Sequence, residues 1–460
     1  MVKLSTPFRS IAWLSAFALL VLGACQHDEF VAPKESGAVQ ITNNDYTGKK
    51  LGGGVLMQAF YWDVPAGGTW WNTVKGKVAA WKSAGVDAIW LPPASKAQNG
   101  AFSMGYDPFD YFDFGKYNQM GSTETRFGSE TELVSLITSA HSNGLQVIAD
   151  IVINHNSGGA SETNPYTGGS TWTKFTPASG KFNRTYLDFH PNDYHSNDYG
   201  AFGGYPDLCH HKTYVQDWLW NSTSSVAKFY KNTMKIDGWR FDYVKGFEPW
   251  VVNNWNAAVG GFSVGEYWDS NVNTLDWWAT NANSNVFDFA CYYRMNDAFD
   301  GNDLTKLNDD MMWKRNAYRA VTFVSNHDTD EIWNKMLAYA YILTHEGYPT
   351  IFYRDYEEWL DKNKLNNLIW IHNNLAKGNT SLLYADNDEY VARRNGSNSA
   401  GLVVYINNSN QWQERWIQTN WANTTIKDYT GASGWQPVTQ GDKWVKIQAP
   451  PKGYSVWSVK

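Results

Sequence analysis

The sequence predicts an α/β protein: a (β/α)8 TIM barrel with an inserted loop-rich domain after strand 3 and a C-terminal antiparallel β-sandwich domain. Between residues 51 and 378, eight short apolar segments alternate with helical patterns, as in a closed parallel barrel. Residues 154–211 interrupt this alternation with an aperiodic stretch rich in Gly, Ser, Asn, Asp and Tyr. From residue 379 onward, apolar and polar residues alternate without helices, which is typical of antiparallel strands.

The barrel strands are short and largely apolar, as strands covered on both faces should be. They are predicted at residues 54–62, 86–93, 145–153, 237–245, 262–266, 286–290, 319–325 and 349–353. The clearest helices are predicted at residues 72–84, 129–143, 214–235 and 359–375. Ser129 and Glu132 have the spacing of a capping box, and Gly144 follows the end of the same helix.

These patterns divide the 460 residues into domains. Residues 51–153 and 212–378 form the predicted barrel, residues 154–211 the insertion, and residues 379–460 the sandwich. The net charge of −7, without any basic block, excludes a nucleic-acid partner. An aromatic share of 16% favours carbohydrate binding, although aromatic side chains also fill cores. Four tryptophans of the sandwich are expected in its core: Trp412, Trp416, Trp421 and Trp435.

The N-terminus predicts export. Residues 1–24 combine the basic Lys3 and Arg9 with a short apolar run, as in a signal peptide. The run ends in Leu-Gly-Ala before Cys25 and resembles a bacterial lipobox, so we expect cleavage before Cys25 and lipid attachment to its sulfur. Residues 25–50 would tether the folded domains to the cell envelope, at the outer membrane or cell surface. The alternative is an ordinary signal peptide with an incidental cysteine.

Charged side chains follow several of the predicted strands. Arg240 and Asp242 alternate on strand four and therefore face the same side. Because unpaired buried charge is costly, they form either a structural ion pair or a carboxylate nucleophile kept ionised by a guanidinium. Strands five and seven bring Glu266 and Asp328 to the same rim of the barrel. Paired carboxylates at such a rim are what hydrolysis of a glycosidic bond requires.

These strand ends resemble the four signature regions of the α-amylase family of glycoside hydrolases. The matching segments are residues 150–155, 238–245, 265–268 and 323–328. The resemblance covers the chain from about residue 51 to residue 460. Residues 203–210 and 239–246 are especially similar to archaeal and related bacterial α-amylases.

The resemblance implies a role for each residue of the site. Asp242 would be the nucleophile, Glu266 the general acid and then base, and Asp328 the residue that stabilises the transition state. The mechanism would be retaining, with the carboxyl groups of Asp242 and Glu266 roughly 5–5.5 Å apart. The implied substrate-binding residues are Tyr106, His155, Arg240, Lys245 and His327. Lys245 is equally consistent with a solvated lysine on the rim.

The resemblance also implies a structural Ca²⁺ that ties the insertion to the barrel. Its ligands would be hard oxygen atoms, the type that Ca²⁺ prefers. They would come from Asn154, Asp198 and Asp207 and from the backbone carbonyls of Gly200 and Gly246.

A zinc site is the second metal expectation. His190, His195 and Cys209 are ligand types suited to Zn²⁺, and similar archaeal enzymes carry a metal on matching residues. The alternative is two surface histidines and a buried free thiol. The archaeal relatives have a Cys pair directly after the second His, where this chain has Ser196 and Asn197, so we expect weaker zinc binding.

The implied activity is endo-hydrolysis of α-1,4-glucosidic bonds in starch, glycogen and maltodextrins by a monomeric enzyme. A glucanotransferase or a maltogenic exo-enzyme of the same family would have the same active-site residues. An alternative of another class is a non-catalytic starch-binding surface lipoprotein. That alternative predicts the loss of at least one catalytic carboxylate, and all three are present.

Overall fold

The computed structural model describes residues 54–196 and 202–460. Cys25, the predicted signal peptide and the tether lie outside the described residues, as do Asp198 and Gly200. Among the described helices, none is both long enough and apolar enough to cross a membrane.

Parallel strands close into a barrel and follow one another around it in chain order. They are β1 (Val55–Gln58), β2 (Val86–Leu91), β3 (Gln146–Ile151), β4 (Gly238–Phe241), β5 (Phe262–Gly265), β6 (Asn285–Phe287), β7 (Ala320–Phe323) and β8 (Tyr348–Phe352). Strand β8 pairs with β1 and completes the closure. The predicted barrel is therefore confirmed. Most strands are shorter than predicted, because the chain leaves the strand ladder early to build the loops at the rim.

The helices lie between the strands. They are α1 (Trp70–Lys75), α2 (Val78–Ala84), α3 (Glu130–Ser142), α4 (Thr213–Gln216), α5 (Val226–Asn232), α6 (Pro249–Val259), α7 (Val272–Asn281), α8 (Phe289–Phe299), α9 (Met312–Arg315), α10 (Lys335–Thr344) and α11 (Lys362–Asn374). The capping box of α3 is present as predicted. The Glu132 N–H donates to the Ser129 hydroxyl, and the Ser129 N–H donates to the Glu132 carboxylate.

Two predicted helices are broken in the structure. Residues 214–235 form α4, one turn of π-helix and then α5, rather than one long helix. The break falls in the run Ser-Thr-Ser-Ser at residues 222–225, whose side chains favour helix ends over helix interiors. Residues 72–84 divide into α1 and α2 at Gly76, a residue with low helix propensity.

The described residues of the insertion between β3 and α4 include a hairpin and a short helical turn. The hairpin pairs Ala160–Asn164 with Gly169–Lys174, and the turn covers Tyr186–Asp188. Arg184 is buried in this region, donates to the Phe109 carbonyl over 2.6 Å, and packs against the Phe182 ring. The insertion is thereby joined to the loop that follows β2.

The C-terminal domain consists of antiparallel strands, as predicted. They are β9 (Thr380–Ala385), β10 (Glu389–Arg394), β11 (Leu402–Asn407), β12 (Gln413–Gln418), β13 (Ile426–Asp428), β14 (Trp444–Ala449) and β15 (Gly453–Val459). Strands β9, β10, β11, β15 and β13 form a five-stranded sheet, and β12 pairs with β14. A cluster of apolar side chains that includes Val403, Ile417, Ile447 and Trp457 fills the core between the two sheets.

The expectation that four tryptophans fill this core is wrong for three of them. Trp421 packs against the core and donates to the Ala400 carbonyl over 3.0 Å. Trp412, Trp416 and Trp435 are exposed instead. On β12 and β14 the buried inward positions are those of Ile417, Val445, Ile447 and Ala449. Trp416 occupies the alternate, outward side of β12.

Candidate active site

The polar side chains expected at the rim follow directly from strand geometry. Asp242 comes one residue after β4, and Glu266 comes one residue after β5. Backbone hydrogen bonds continue for one step beyond each strand: the Asp242 N–H donates to Ile151, and the Glu266 N–H donates to Phe241. Both carboxylates are therefore attached to rigid backbone at the carboxyl end of the barrel.

Arg240 lies at the centre of the site and is almost completely buried. Its Nη1 is 2.8 Å from Asp150 Oδ1 and 2.8 Å from Asp242 Oδ1. Its Nη2 is 2.6 Å from Glu266 Oε1. One guanidinium thus contacts carboxylates from three neighbouring strands, so the predicted Arg–Asp pair is part of a larger charged cluster.

Asp150 is a member of this cluster that the sequence-derived site did not include. Its Oδ2 accepts from Trp90 Nε1 at 3.1 Å and from the Tyr106 hydroxyl at 2.8 Å. Burial raises its pKa to about 7, although the Arg240 charge opposes the shift. An aspartate inside the otherwise apolar strand β3 was the signal in the sequence that could have identified it.

Glu266 has the electrostatic character of a general acid. Burial raises its pKa to about 8, and the charges of Asp242 and Asp328 add to the increase, while Arg240 opposes it. Its Oε2 accepts from the Tyr243 N–H over 3.2 Å. The φ of Tyr243 is +45°, a strained value for a residue other than glycine, directly after Asp242. Near neutral pH the Glu266 carboxyl therefore holds a proton that it can donate.

A chain of hydrogen bonds links Gln58, His327 and Tyr106 in the same site. Gln58 Nε2 is 3.0 Å from His327 Nδ1, and the Tyr106 hydroxyl is 2.8 Å from His327 Nε2. His327 Nε2 is also 3.2 Å from the half-exposed Asp328 carboxylate. Burial and the Arg240 charge hold the pKa of His327 well below its usual range, so its ring is neutral. With Gln58 donating to Nδ1, Nε2 carries the proton and donates toward Tyr106 and Asp328.

Trp62 is a second residue of the site that sequence reasoning missed. Its ring stacks on Tyr106, with centroids 5.8 Å apart and planes at 25°, and it also lies 6.3 Å from the His327 ring. About half of its surface is exposed. The indole therefore forms one wall of the cleft, beside the carboxylates. Its position just after β1 places it at the same rim as the other residues.

Two other predicted substrate-binding residues also lie at this end of the barrel. His155 is buried, its Nε2 lies 2.9 Å from the Tyr106 carbonyl, and its ring stacks on Phe202 at 5.0 Å. Burial lowers the pKa of His155. Lys245 is on the rim, where its Nζ is 3.4 Å from Asp269 Oδ2 and its side chain is partly exposed.

Three of the predicted calcium ligands converge where the insertion meets the barrel. Among the described residues, Asn154 Oδ1 and Asp207 Oδ1 are buried oxygen atoms that accept no hydrogen bond. Gly246 adjoins Asn154 closely, because a Cβ there would lie 1.9 Å from Asn154 Oδ1. Burial raises the pKa of Asp207 to about 8. Two unsatisfied buried oxygen atoms, one of them from a carboxyl group, fit the donor set of a hard cation.

The residues predicted to bind zinc lie close together in the insertion. The rings of His190 and His195 stack with centroids 4.5 Å apart, and His190 Nδ1 is 2.9 Å from Asp207 Oδ2. Cys209 is buried nearby, and its N–H donates to the Asp188 carbonyl. Within residues 54–196 and 202–460, no three His, Cys, Asp or Glu side chains are grouped so that they could hold a metal ion. Zinc binding therefore stays a prediction.

Comparisons with known proteins agree with this architecture. Residues 402–458 match the family described as "Alpha-amylase C-terminal". The chain is 31% identical over 368 residues to an α-amylase of Bacillus licheniformis, which covers 66% of this chain and 70% of the relative. It is 29% identical over 482 residues to an α-amylase of Geobacillus stearothermophilus, with 88% and 86% covered.

Solved structures share the fold. An α-amylase from Anoxybacillus superposes with a TM-score of 0.71 at 19% identity, over 89% of this chain and 98% of that one. The chain therefore shares its fold with that structure over most of both lengths. With its sequence relatives and the cluster of three carboxylates around one arginine, the chain belongs to the α-amylase family of glycoside hydrolases, family 13.

Proposed function

We propose that the enzyme hydrolyses internal α-1,4-glucosidic bonds of starch, glycogen and maltodextrins with retention of the anomeric configuration. The observation that carries this proposal is the contact of one buried guanidinium with both Asp242 and Glu266. This contact holds the two carboxyl groups near each other, as a retaining mechanism requires. Burial raises the pKa of Glu266 to about 8, which suits a general acid.

The residues divide the reaction into two displacements. In the first, an Asp242 oxygen attacks the anomeric carbon, the glycosidic C–O bond breaks, and Glu266 transfers its proton to the leaving oxygen. In the second, the Glu266 carboxylate takes a proton from water, and the water oxygen displaces Asp242 from the anomeric carbon. Arg240 stabilises the carboxylate form of Asp242 through their ion pair.

The sugar ring next to the cleaved bond would lie against Tyr106. Trp62 and His327 extend the same aromatic wall, on which the apolar face of a sugar ring can stack. Asp328 is more exposed than Asp242 and Glu266. Its carboxylate can accept hydrogen bonds from hydroxyl groups of that ring and stabilise positive charge on it.

The named relatives support hydrolysis over the alternatives. The relatives from Bacillus licheniformis and Geobacillus stearothermophilus are α-amylases, which supports a hydrolase rather than a glucanotransferase. A non-catalytic starch-binding protein would not be expected to keep Asp242 and Glu266 in contact with Arg240 and Asp328 in contact with His327. The preference for internal bonds, and for one glucan over another, is part of our proposal.

The first test is a ¹H NMR time course of products from maltoheptaose and soluble starch. Wild type should release products whose new reducing ends are α-anomers, and Asp242→Asn should release none above background. Asp269→Asn is the matched control, because Asp269 contacts only the rim lysine among the site residues and should retain activity.

Other outcomes would point elsewhere. New β-anomers would contradict the retaining mechanism. Products longer than maltoheptaose would favour a glucanotransferase. If wild type binds starch without turnover, the enzyme proposal fails and the binding protein replaces it.

We also propose a structural Ca²⁺ held by Asn154, Asp207 and the Gly246 carbonyl, with Asp198 and the Gly200 carbonyl as further ligands. The buried, unsatisfied oxygen atoms of Asn154 and Asp207 support this assignment. When bound, the ion would neutralise the Asp207 carboxylate and join the insertion to the loop after β4. Asn154 follows β3, so the ion would hold the insertion against the end of the barrel that carries the site and take no part in bond cleavage.

Zinc at His190, His195 and Cys209 is a separate proposal. Elemental analysis of protein dialysed against a weak chelator should find one zinc per wild-type chain and none in Cys209→Ser. Cys291→Ser is the control, because Cys291 is buried in α8, away from the insertion. Equal zinc content in Cys209→Ser and Cys291→Ser, or no zinc in wild type, would contradict the proposal.

We propose lipid attachment at Cys25 and residence in the cell envelope, on the strength of the lipobox-like residues 22–25. Wild type should incorporate a labelled fatty acid and sediment with membranes, whereas Cys25→Ser should do neither. Labelling of the Cys25→Ser variant would contradict this site. Sedimentation velocity of the Cys25→Ser variant should give the mass of one chain, which is the expected monomer.

A further inference from the structure

Exposed tryptophans are concentrated on the outside of the C-terminal domain, around the strand pair β12–β14. Large aromatic side chains in such numbers on one surface are uncommon unless the surface binds something. The exposed fractions are 47% for Trp412, 53% for Trp416, 39% for Trp435 and 40% for Trp444. We call the surface formed by these four residues the tryptophan face.

Strand register places two of them side by side. Trp416 pairs with Lys446, and Gln418 pairs with Trp444, so the two indoles occupy diagonal positions on adjacent strands. Ile417 and Val445 alternate with them and are buried in the core. Because successive residues of a strand point to opposite faces, Trp416 and Trp444 both point away from that core.

The other two indoles adjoin the same face. Gln448 lies on the outer side of β14 and donates to the Ser433 hydroxyl over 2.7 Å. That hydroxyl also accepts from the Trp435 N–H over 3.2 Å, which fixes the Trp435 loop beside the strand pair. Trp412 directly precedes β12 and has the same alternation as Trp416, about 14 Å along an extended chain. The face is therefore longer than a single sugar ring.

The polar groups of this face suit a neutral ligand. Glu414 and Lys446 form an ion pair on it, so their charges cancel. The remaining outward polar side chains of the strand pair are the amides of Gln418 and Gln448. A face without net charge does not attract a polyanion or an anionic lipid surface. Indole rings together with amide groups complement a polyhydroxylated chain that has apolar ring faces.

We propose that the tryptophan face binds a second segment of α-glucan, outside the catalytic cleft. This inference rests on the proposed function, because the polymer that the barrel cleaves is also the neutral polyhydroxylated ligand that the face fits. The face belongs to the C-terminal domain, whereas the catalytic carboxylates lie on the barrel rim. Binding at this face therefore increases the residence of the enzyme on long or insoluble glucan and leaves the turnover of short oligosaccharides unchanged.

The test compares insoluble starch granules with maltoheptaose. In the inactive Asp242→Asn background, adding Trp416→Ala and Trp444→Ala should weaken retention on granules by about tenfold. In the active background, the same pair should slow granule hydrolysis and leave kcat/KM for maltoheptaose unchanged. Trp416→Tyr with Trp444→Tyr should restore most of the retention, because tyrosine also offers an aromatic face.

Trp172→Ala is the matched control, since Trp172 is also an exposed strand residue but lies on the hairpin of the insertion. It should not change retention, and all variants should keep the wild-type thermal midpoint. Unchanged retention in the Trp416/Trp444 double variant overturns the proposal. If that variant instead loses binding to phosphatidylcholine vesicles, or loses a dimer in sedimentation velocity, the occupant is a membrane surface or a second copy.

The outcomes separate this inference from the proposed function. If wild type fails to cleave maltoheptaose while granule retention still depends on Trp416 and Trp444, the catalytic proposal fails and the tryptophan face stands. If maltoheptaose is cleaved and retention does not depend on these indoles, the reverse holds.

Discussion

Glu266 shows how a single side chain obtains its role from its surroundings. Its covalent structure is that of any glutamate, but burial raises its pKa to about 8, and two nearby carboxylates add to the increase. Asp150 contacts the same Arg240 guanidinium, and burial raises its pKa to about 7. The sequence identified Asp242, Glu266 and Arg240, but the membership of Asp150, the burial and the contacts with Arg240 appear only in three dimensions.

The pH dependence of catalysis follows from Glu266. Its protonated form is the general acid of the first step, so kcat/KM should fall as pH rises through about 8. With the ordinary pKa of about 4.3, the fall would begin near pH 5. The measurement is kcat/KM for a chromogenic maltooligosaccharide between pH 5 and 10. A loss of activity already complete at pH 6 would contradict the assignment.

Tyr106 should matter through its hydroxyl as well as through its ring. Tyr106→Phe keeps the stacking on Trp62 but removes the donor to Asp150 and the acceptor for His327. We expect kcat/KM to fall by about tenfold, the cost of leaving a buried polar group without its partner. Steady-state kinetics on maltoheptaose measures it. Tyr166→Phe, at an exposed position of the insertion, should have no effect. Equal activity of both variants would show that the hydroxyl is dispensable.

Individual elements follow the sequence where local signals are strong. The capping box at Ser129 and Glu132 was predictable because both partners are three residues apart. The break between α4 and α5 was not foreseen, because the apolar residues before and after residues 222–225 keep the spacing of one continuous helix. Alternation predicted antiparallel strands after residue 379, but it could not show that Trp416 lies on the outer side of its strand.

Strand β5 offers a test of how tightly an element must pack to position a catalytic group. A Cβ at Gly265 would lie 2.0 Å from the Trp278 ring, so Gly265→Ala forces either the strand or helix α7 to move. We expect a loss of about 1–3 kcal/mol in the free energy of unfolding, measured with urea. Activity should fall too, because Glu266 is the next residue. Gly434→Ala, which has open space around it, should be neutral. A stable, fully active Gly265→Ala would contradict this packing argument.

At the scale of the whole molecule, the order of domains was predictable and the metal chemistry only partly so. Eight alternating segments are enough to specify a barrel, and the change to period two marks the C-terminal domain. The converging Asn154, Asp207 and Gly246 come from the ends of separate segments, and no local pattern relates them. Resemblance to a family supplied that grouping, and the unsatisfied oxygen atoms give it a physical reason.

Calcium removal tests the junction between insertion and barrel. A chelator should lower the thermal midpoint of wild type, because two buried oxygen atoms lose the cation that they bind. The pKa of Asp207 is raised to about 8 without metal, so Ca²⁺ must displace a proton below that pH, and its affinity should rise as pH increases toward 8. Calorimetry at several pH values measures both effects. Asn154→Ala should remove the response to chelator, and a chelator response that persists in this variant would place the ion elsewhere.

The buried Glu266 carboxyl also has a consequence for the proton balance of folding. In the unfolded chain it would ionise near its ordinary pKa, but in the folded enzyme it keeps its proton up to about pH 8. The folded state therefore holds one more proton there, and its stability falls as pH rises from about 4.3 to 8. Glu266→Gln replaces this acid with a permanently neutral group of the same shape. The inactive Glu266→Gln variant should unfold at a higher temperature than wild type at pH 7, and the difference in thermal midpoint should vanish near pH 4.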